Sequence, residues 1–168
     1  MREYLKLIDT DTQGVRSDVS PLFRDFEATQ KLVQDLIAPF LDLNVTHVAG
    51  IDALGFILGA LVARELEAGF VLIRKGDKLP VPTFSREYIS SSGHFKRLEL
   101  RKDAVQKGDR VLIVDDWIET GAQMKSALGL FEQTEAEVVG MAAICIEQNK
   151  KTEKLRTQYT CHDVWSHT

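Results

Sequence analysis

Val111-Leu-Ile-Val-Asp-Asp-Trp-Ile-Glu-Thr-Gly-Ala-Gln123 decides the fold. Four consecutive apolar residues run into two adjacent acids, Asp115 and Asp116. A short loop then passes through Thr120 and Gly121, and a helical pattern starts near Gln123. A continuous apolar run of this length fits a strand buried on both faces of a parallel sheet. In open α/β sheets ligands lie beyond the carboxyl ends of such strands. Paired carboxylates there can accept hydrogen bonds from vicinal hydroxyls, or face a divalent metal through water. Thr120 adds a hydroxyl, Gly121 allows close backbone approach, and the N–H groups opening the next helix point toward an anion. Without the following Thr-Gly, the acid pair would read equally well as a solvated turn.

The rest of the chain narrows the class. Its 168 residues suit one domain, and 44% hydrophobic residues suffice for a core. A net charge of −4 argues against nucleic-acid binding. No apolar stretch approaches the ~20 residues of a membrane span, and polar residues 1–13 do not form a secretory signal. Cys145 and Cys161 make no disulfide or metal pattern, and Cys145 reads as a small buried hydrophobe. A cytoplasmic protein is expected.

Outward from the central stretch, strand and helix alternate. Thr46–Ile51 reads as a strand, followed by Asp52-Ala53-Leu54-Gly55 and an apolar helix from Phe56 to about Leu66. Strand, short Gly-containing loop and helix can cradle a phosphate, although Asp52 could equally be a plain helix cap. Phe70–Ile73 is a short strand running into Arg74-Lys75-Gly76-Asp77-Lys78-Leu79-Pro80, either a solvated turn or an anion site. Residues 84–89 and 95–100 pair as a hairpin around the polar hinge Ser90-Ser91-Ser92-Gly93, which makes residues 81–100 a flexible loop. Phe23–Leu43 forms one amphipathic packing helix, kinked or ended at Pro39. Gln123–Gln133 is a helix and Glu137–Ile146 a strand. The polar stretch after Glu147 has room for an edge strand, and lone His47 is a packing or surface residue.

These blocks resemble the phosphoribosyl pyrophosphate (PRPP) motifs of type I phosphoribosyltransferases, closest to the adenine phosphoribosyltransferase group. The similarity covers about residues 14–147. The central block is similar to that group's D-D-L-L-A-T-G-G-T, with Trp117, Glu119, Ala122 and Gln123 as departures. Gly50-Ile51-Asp52-Ala53-Leu54-Gly55-Phe56 is similar to G-[IL]-[DE]-[AS]-R-G-F, with Leu54 in place of the Arg. The block from Arg74 to Pro80 is similar to R-K-x-G-K-L-P. The resemblance implies an α/β fold of a twisted, mainly parallel sheet flanked by helices. Residues 1–22 would form a small hood and residues 81–100 a loop that closes over substrates.

By the same resemblance, Asp115 and Asp116 serve as the catalytic acids and hold the ribose hydroxyls. Glu119, Thr120, Gly121, Ala122 and Gln123 cradle the 5′-phosphate. Asp52, Ala53, Leu54, Gly55, Arg74 and Lys78 serve pyrophosphate, while Lys75 braces its loop. Setting Asp18-Val19-Ser20-Pro21 against the family's D-I-S-P gives Val15, Arg16 and Ser17 the base. Arg16 then stands where the family stacks an aromatic, and Ser17 where it has Arg. A second registration, Phe23-Arg24-Asp25 on F-R-D, loses the Ser-Pro match. The family's loop carboxylate is missing, leaving Glu87 and His94 as candidates for its role. Mg²⁺ is implied, bound mainly through PRPP and pyrophosphate, with no direct protein ligands expected. A homodimer is implied as well.

The resulting expectation is transfer of the phosphoribosyl group from PRPP to a nucleobase, a purine as in adenine salvage. The alternatives are a different base, or a regulatory PRPP- or nucleotide-binding member without catalysis. Loss of the Arg and the loop carboxylate favours the binder. Intact Asp115, Asp116, Lys78 and Thr120-Gly121 favour the enzyme.

Overall fold

The computed structural model describes residues 2–13 and 16–165. Its centre is β5 (Arg110–Ile118), whose apolar run is almost wholly buried. Seven strands lie in the order β3-β4-β2-β1-β5-β6-β7. The parallel core joins β2 (Gly69–Lys75), β1 (His47–Ile51), β5, β6 (Glu137–Ile146) and the short β7 (Cys161–Asp163). The hairpin of β3 (Thr83–Ile89) and β4 (Phe95–Arg101) adds antiparallel to β2. The fold is therefore the expected α/β arrangement of a mainly parallel sheet flanked by helices.

Strand pleat divides β5 between two cores. Leu112 and Val114 pack with α2 (Phe26–Ile37) and α3 (Leu54–Glu65). Val111 and Ile113 pack with α4 (Ala122–Phe131) and with Leu155 of α5 (Lys150–Gln158). Between β1 and β5 the connections leave in opposite directions, β1 through α3 to β2 and β5 through α4 to β6. This is the switch point at which an open α/β sheet leaves a crevice.

Three expectations need correction. The helix over 23–43 is three pieces: α1 (Ser20–Arg24), α2, and a 3₁₀ turn at Ala38–Leu43 containing Pro39. The break falls at Asp25, whose extended backbone and side chain cap α2 by accepting from the Ala28 N–H at 2.9 Å. The strand at 70–73 runs on through Lys75. The C-terminal region holds the expected edge strand, but α5 precedes it, started by a reciprocal cap between Asn149 and Thr152. His47 lies near the surface, 3.4 Å from Asp109, as a packing residue would.

Close backbone approach sets the crevice floor. A β-carbon on Gly50 would sit 2.3 Å from the Gly55 carbonyl oxygen. One on Gly55 would sit 2.9 Å from the Val114 carbonyl and 3.0 Å from Asp115 Oδ1. The loop after β1 can therefore lie against the acid-bearing end of β5 only because both positions lack a side chain.

Candidate active site

A cavity of about 400 Å³ opens at this crevice. The loop after β1 contributes Asp52, Ala53 and Leu54, and the end of β2 contributes Lys75. The hairpin contributes Tyr88, Ser90, Ser91, Ser92 and Lys96. The end of β5 and the start of α4 contribute the run Asp115–Met124, and the N-terminal arm contributes Arg16. Strand-end loops from β1, β2 and β5 thus meet around one space, with the hairpin and the arm over it.

Asp115 is 3% exposed and both its carboxylate oxygens are occupied. Oδ1 accepts from the Asp116 backbone N–H at 3.0 Å, and Oδ2 accepts from Gln123 Nε2 at 2.8 Å. Gln123 Oε1 in turn accepts from the Tyr88 hydroxyl at 2.9 Å. A polar chain therefore runs from the hairpin through α4 to the end of β5. Burial, and then the charge of Asp116, push the Asp115 carboxyl well above the usual carboxylate range. Burial and the nearby Asp115 also raise the Tyr88 hydroxyl. Asp116 is half-buried and faces the cavity.

The phosphate-loop candidate is shaped by its own backbone. Gly121 has φ +72°, a left-handed conformation natural to glycine, and precedes the first turn of α4. Thr120 Oγ1 accepts from the Ala122 N–H at 3.4 Å. Asn149, the cap of α5, donates through Nδ2 to the Glu119 carbonyl at 2.8 Å. The Glu119 side chain reaches the arm, where Arg16 Nε and Nη2 donate to its Oε2 at 3.2 and 2.6 Å. The Arg16 hydrogen bonds hold Glu119 below the usual carboxylate range, and a hydrogen bond from Ser91 acts in the same direction.

Most sequence candidates gather here: Asp52, Ala53, Leu54, Arg16, Asp115, Asp116 and the whole run Glu119–Gln123. Gly55 forms the floor through its contact with Asp115. Arg74 turns away from the cavity lining. Its Nε lies 3.4 Å from Asp52 Oδ2 and its guanidinium lies over the Phe56 ring, 5.8 Å from the centroid. Lys78, Glu87 and His94 are exposed and do not line the cavity, and neither does half-buried Ser17. Glu87 adjoins Tyr88, which points inward, so strand alternation turns Glu87 outward. Val15 lies outside the described residues. Sequence reasoning missed Tyr88, Lys96 and Asn149, and gave Lys75 only a bracing role. Parity along β2 and β3 was the signal that could have found Lys75 and Tyr88.

Residues 25–167 match the family described as the phosphoribosyl transferase domain. The chain is 42% identical over 144 residues to an adenine phosphoribosyltransferase of Dinoroseobacter shibae, covering 84% of this chain and 80% of that protein. It is 44% identical over 142 residues to one of Xanthomonas oryzae pv. oryzae, covering 84% of this chain and 75% of that protein. Its structure is similar to the crystal structure of adenine phosphoribosyltransferase from Rhodothermus marinus (TM-score 0.86, 33% identity, covering 95% of this chain and 94% of that one). It is also similar to the Saccharomyces cerevisiae enzyme, solved with an imino-altritol bisphosphate and adenine (TM-score 0.83, 28% identity, 96% of each chain).

Proposed function

Because the chain belongs to the phosphoribosyl transferase domain family, we propose that it transfers the 5-phosphoribosyl group of PRPP to a purine, giving a nucleoside 5′-monophosphate and pyrophosphate. The observation that carries this reading is the single cavity into which both the acid-tipped β5 loop and the glycine-floored β1 loop open. The proteins it resembles are named for adenine, which makes adenine the first acceptor to test.

In this reaction a C–N bond forms at the ribose C1 as its C–O bond to pyrophosphate breaks. The protein has little covalent work to do; it binds, orients and excludes water. We assign Asp116 to the ribose hydroxyls, with Asp115 bracing the turn behind it. The N–H groups from Thr120 to Gln123 receive the 5′-phosphate at the start of α4. The 52–54 loop and Lys75 receive the pyrophosphate. The base lies toward the arm, where Arg16 lines the cavity, and the hairpin closes over it.

Mg²⁺ fits this donor set. Asp116 and Asp52 both line the cavity, and buried Asp52 Oδ2 makes no hydrogen bond, with the Arg74 guanidinium 3.4 Å away as its ion-pair partner. Mg²⁺ favours one or two such carboxylates alongside substrate phosphates and water. When bound with PRPP, the ion would offset the charge that develops on the leaving pyrophosphate.

We take residues 1–168 as one catalytic domain acting in the cytoplasm, where free thiols such as Cys145 and Cys161 stay reduced. No helix among the described residues is long and apolar enough to cross a membrane. We also read the chain as a homodimer. Phe26, Ile57 and Leu72 hold large apolar side chains in water, which a second copy could cover. Light scattering of the purified chain tests this: a monomer mass at micromolar concentration would exclude it.

The central test is PRPP-dependent turnover with Mg²⁺ across adenine, hypoxanthine, guanine, xanthine, uracil and orotate. A purine nucleotide product is expected. Silence across the panel would refute the proposal.

A further inference from the structure

Two positions that depart from the resembled family, one near the N-terminus and one beside the phosphate loop, are partners in space. Arg16 directs both Nε and Nη2 onto the same oxygen of Glu119, 103 residues away in sequence. The arm that presents Arg16 is itself closed by a pair of backbone hydrogen bonds between Asp9 and Asp18, at 2.9 and 2.8 Å. The Glu119 backbone carbonyl accepts from Asn149, and Ser91 at the hairpin tip lines the same cavity. Arm and phosphate loop therefore meet at one carboxylate on the rim of the cavity.

This pair does little for the fold. The side chains are 52% and 29% exposed, a setting in which an ion pair adds little to stability. Its position matters more. Glu119 is the residue before Thr120-Gly121, so its carboxylate stands beside the place where a phosphate dianion meets the start of α4. An unpaired carboxylate there would repel that phosphate. Arg16 removes the repulsion.

We propose that Arg16 is a positioning residue for the sugar-phosphate donor: it neutralises Glu119 and couples the arm to the phosphate loop, so that donor binding depends on an N-terminal residue. This inference rests on the PRPP reading above. It removes Arg16 from the role of reading the base and gives Glu119 a structural reason to stand beside a phosphate. The coupling is reciprocal, so a bound donor holds the arm down in turn.

The test is calorimetric titration of PRPP with Mg²⁺ into the full chain, comparing wild type with Arg16→Ala, Arg16→Lys, Glu119→Ala and the Arg16→Ala/Glu119→Ala double variant. Turnover with the accepted purine and the thermal midpoint are followed alongside. Arg16→Ala is expected to weaken PRPP about tenfold at low ionic strength, the scale of one or two unit-charge repulsions at close range in water. The purine KM should change far less. Arg16→Lys should recover most of the loss, and the double variant should bind PRPP at least as tightly as wild type. A generally damaged fold would not be rescued by removing a second side chain. Unchanged PRPP affinity with a raised purine KM in Arg16→Ala would overturn the proposal, as would a double variant as weak as Arg16→Ala. Failure of wild type itself to bind PRPP would instead refute the donor reading on which the proposal stands.

Discussion

Gln123→Ala separates the phosphate-loop role read from the sequence from the bracing role seen in the structure. The substitution removes the Nε2 donor to Asp115 Oδ2 and the Oε1 acceptor of the Tyr88 hydroxyl. Asp115 is 3% exposed, so water reaches the abandoned oxygen poorly. A hydrogen bond to a charged group contributes ~1.5–3 kcal/mol, and the one lost by the half-buried Tyr88 hydroxyl ~0.5–1.5 kcal/mol. Allowing for relaxation around the shorter side chain, the loss should be about 2–4 kcal/mol. For a chain of 168 residues that lowers the thermal midpoint by roughly 4–16 °C. The sign with pH follows from Asp115, whose folded pKa lies above its unfolded value. Across that window the folded state keeps a proton that the unfolded state releases, so stability falls as pH rises. Removing Gln123 lifts the folded value further. The gap between variant and wild type should therefore widen as pH rises through the raised range, and shrink toward the neutral hydrogen-bond contribution below it. Urea unfolding from pH 4 to pH 9 measures this. A loss under about 0.5 kcal/mol, or one independent of pH, would refute the bracing role.

Three further outcomes follow from the site. Asp116→Asn should lower PRPP affinity at least tenfold by calorimetry while leaving the thermal midpoint near wild type, because Asp116 faces the cavity and not the core. Gly55→Ala would place a methyl group 2.9 Å from the Val114 carbonyl and 3.0 Å from Asp115 Oδ1. Overpacking of that kind costs ~1–3 kcal/mol, visible in thermal unfolding, and the displaced β1 loop should weaken pyrophosphate inhibition. Leu54→Arg adds a cation to the cavity lining and should tighten PRPP or pyrophosphate by about tenfold or more, the contribution of one charged hydrogen bond. No change would mean that Lys75 already fills that place.

How much was legible in the sequence depended on whether the signal was local. The apolar run ending in Asp115-Asp116 and the glycine-bearing loop after β1 carry their structural meaning within a few residues, and both were read correctly as elements. The Ser90–Gly93 turn lies between two strands of matching length for the same reason. Helix α5 was missed because Lys150–Gln158 is polar, with only Thr152 and Leu155 buried, so it lacks the apolar period that marks a packed helix. The break before α2 was missed because Asp25 caps a helix without Pro or Gly beside it. Arg74 was assigned to the anion by the family resemblance of its block, with the strand ended at Ile73. Carrying it through Lys75 puts the two cations on opposite faces, and Lys75 is the one that lines the cavity. The Arg16–Glu119 contact had no local signal at all, since it exists only once the arm folds over β5.

The departures in the central motif bear on whether the site has decayed into a binding module. A decaying site should show changed residues facing water without partners. Trp117 instead packs edge-to-face on Trp165, with ring centroids 5.4 Å apart, and donates through Nε1 to Glu147 at 3.2 Å. Gln123 joins Tyr88 to Asp115, and Glu119 is held by Arg16. In each case the new side chain is taken up by a segment distant in sequence: the C-terminal stretch, the hairpin and the arm. Isolated loss does not produce matched pairs of this kind, so the pattern argues for a rewired and working site. Leu54 is the departure that leaves the cavity one cation short, with Lys75 and Lys96 as the lysines that line it and Arg16 already paired to Glu119. If the rewiring extends to that position, these two lysines carry the pyrophosphate, and Lys75→Met should cost more donor affinity than Leu54→Arg restores.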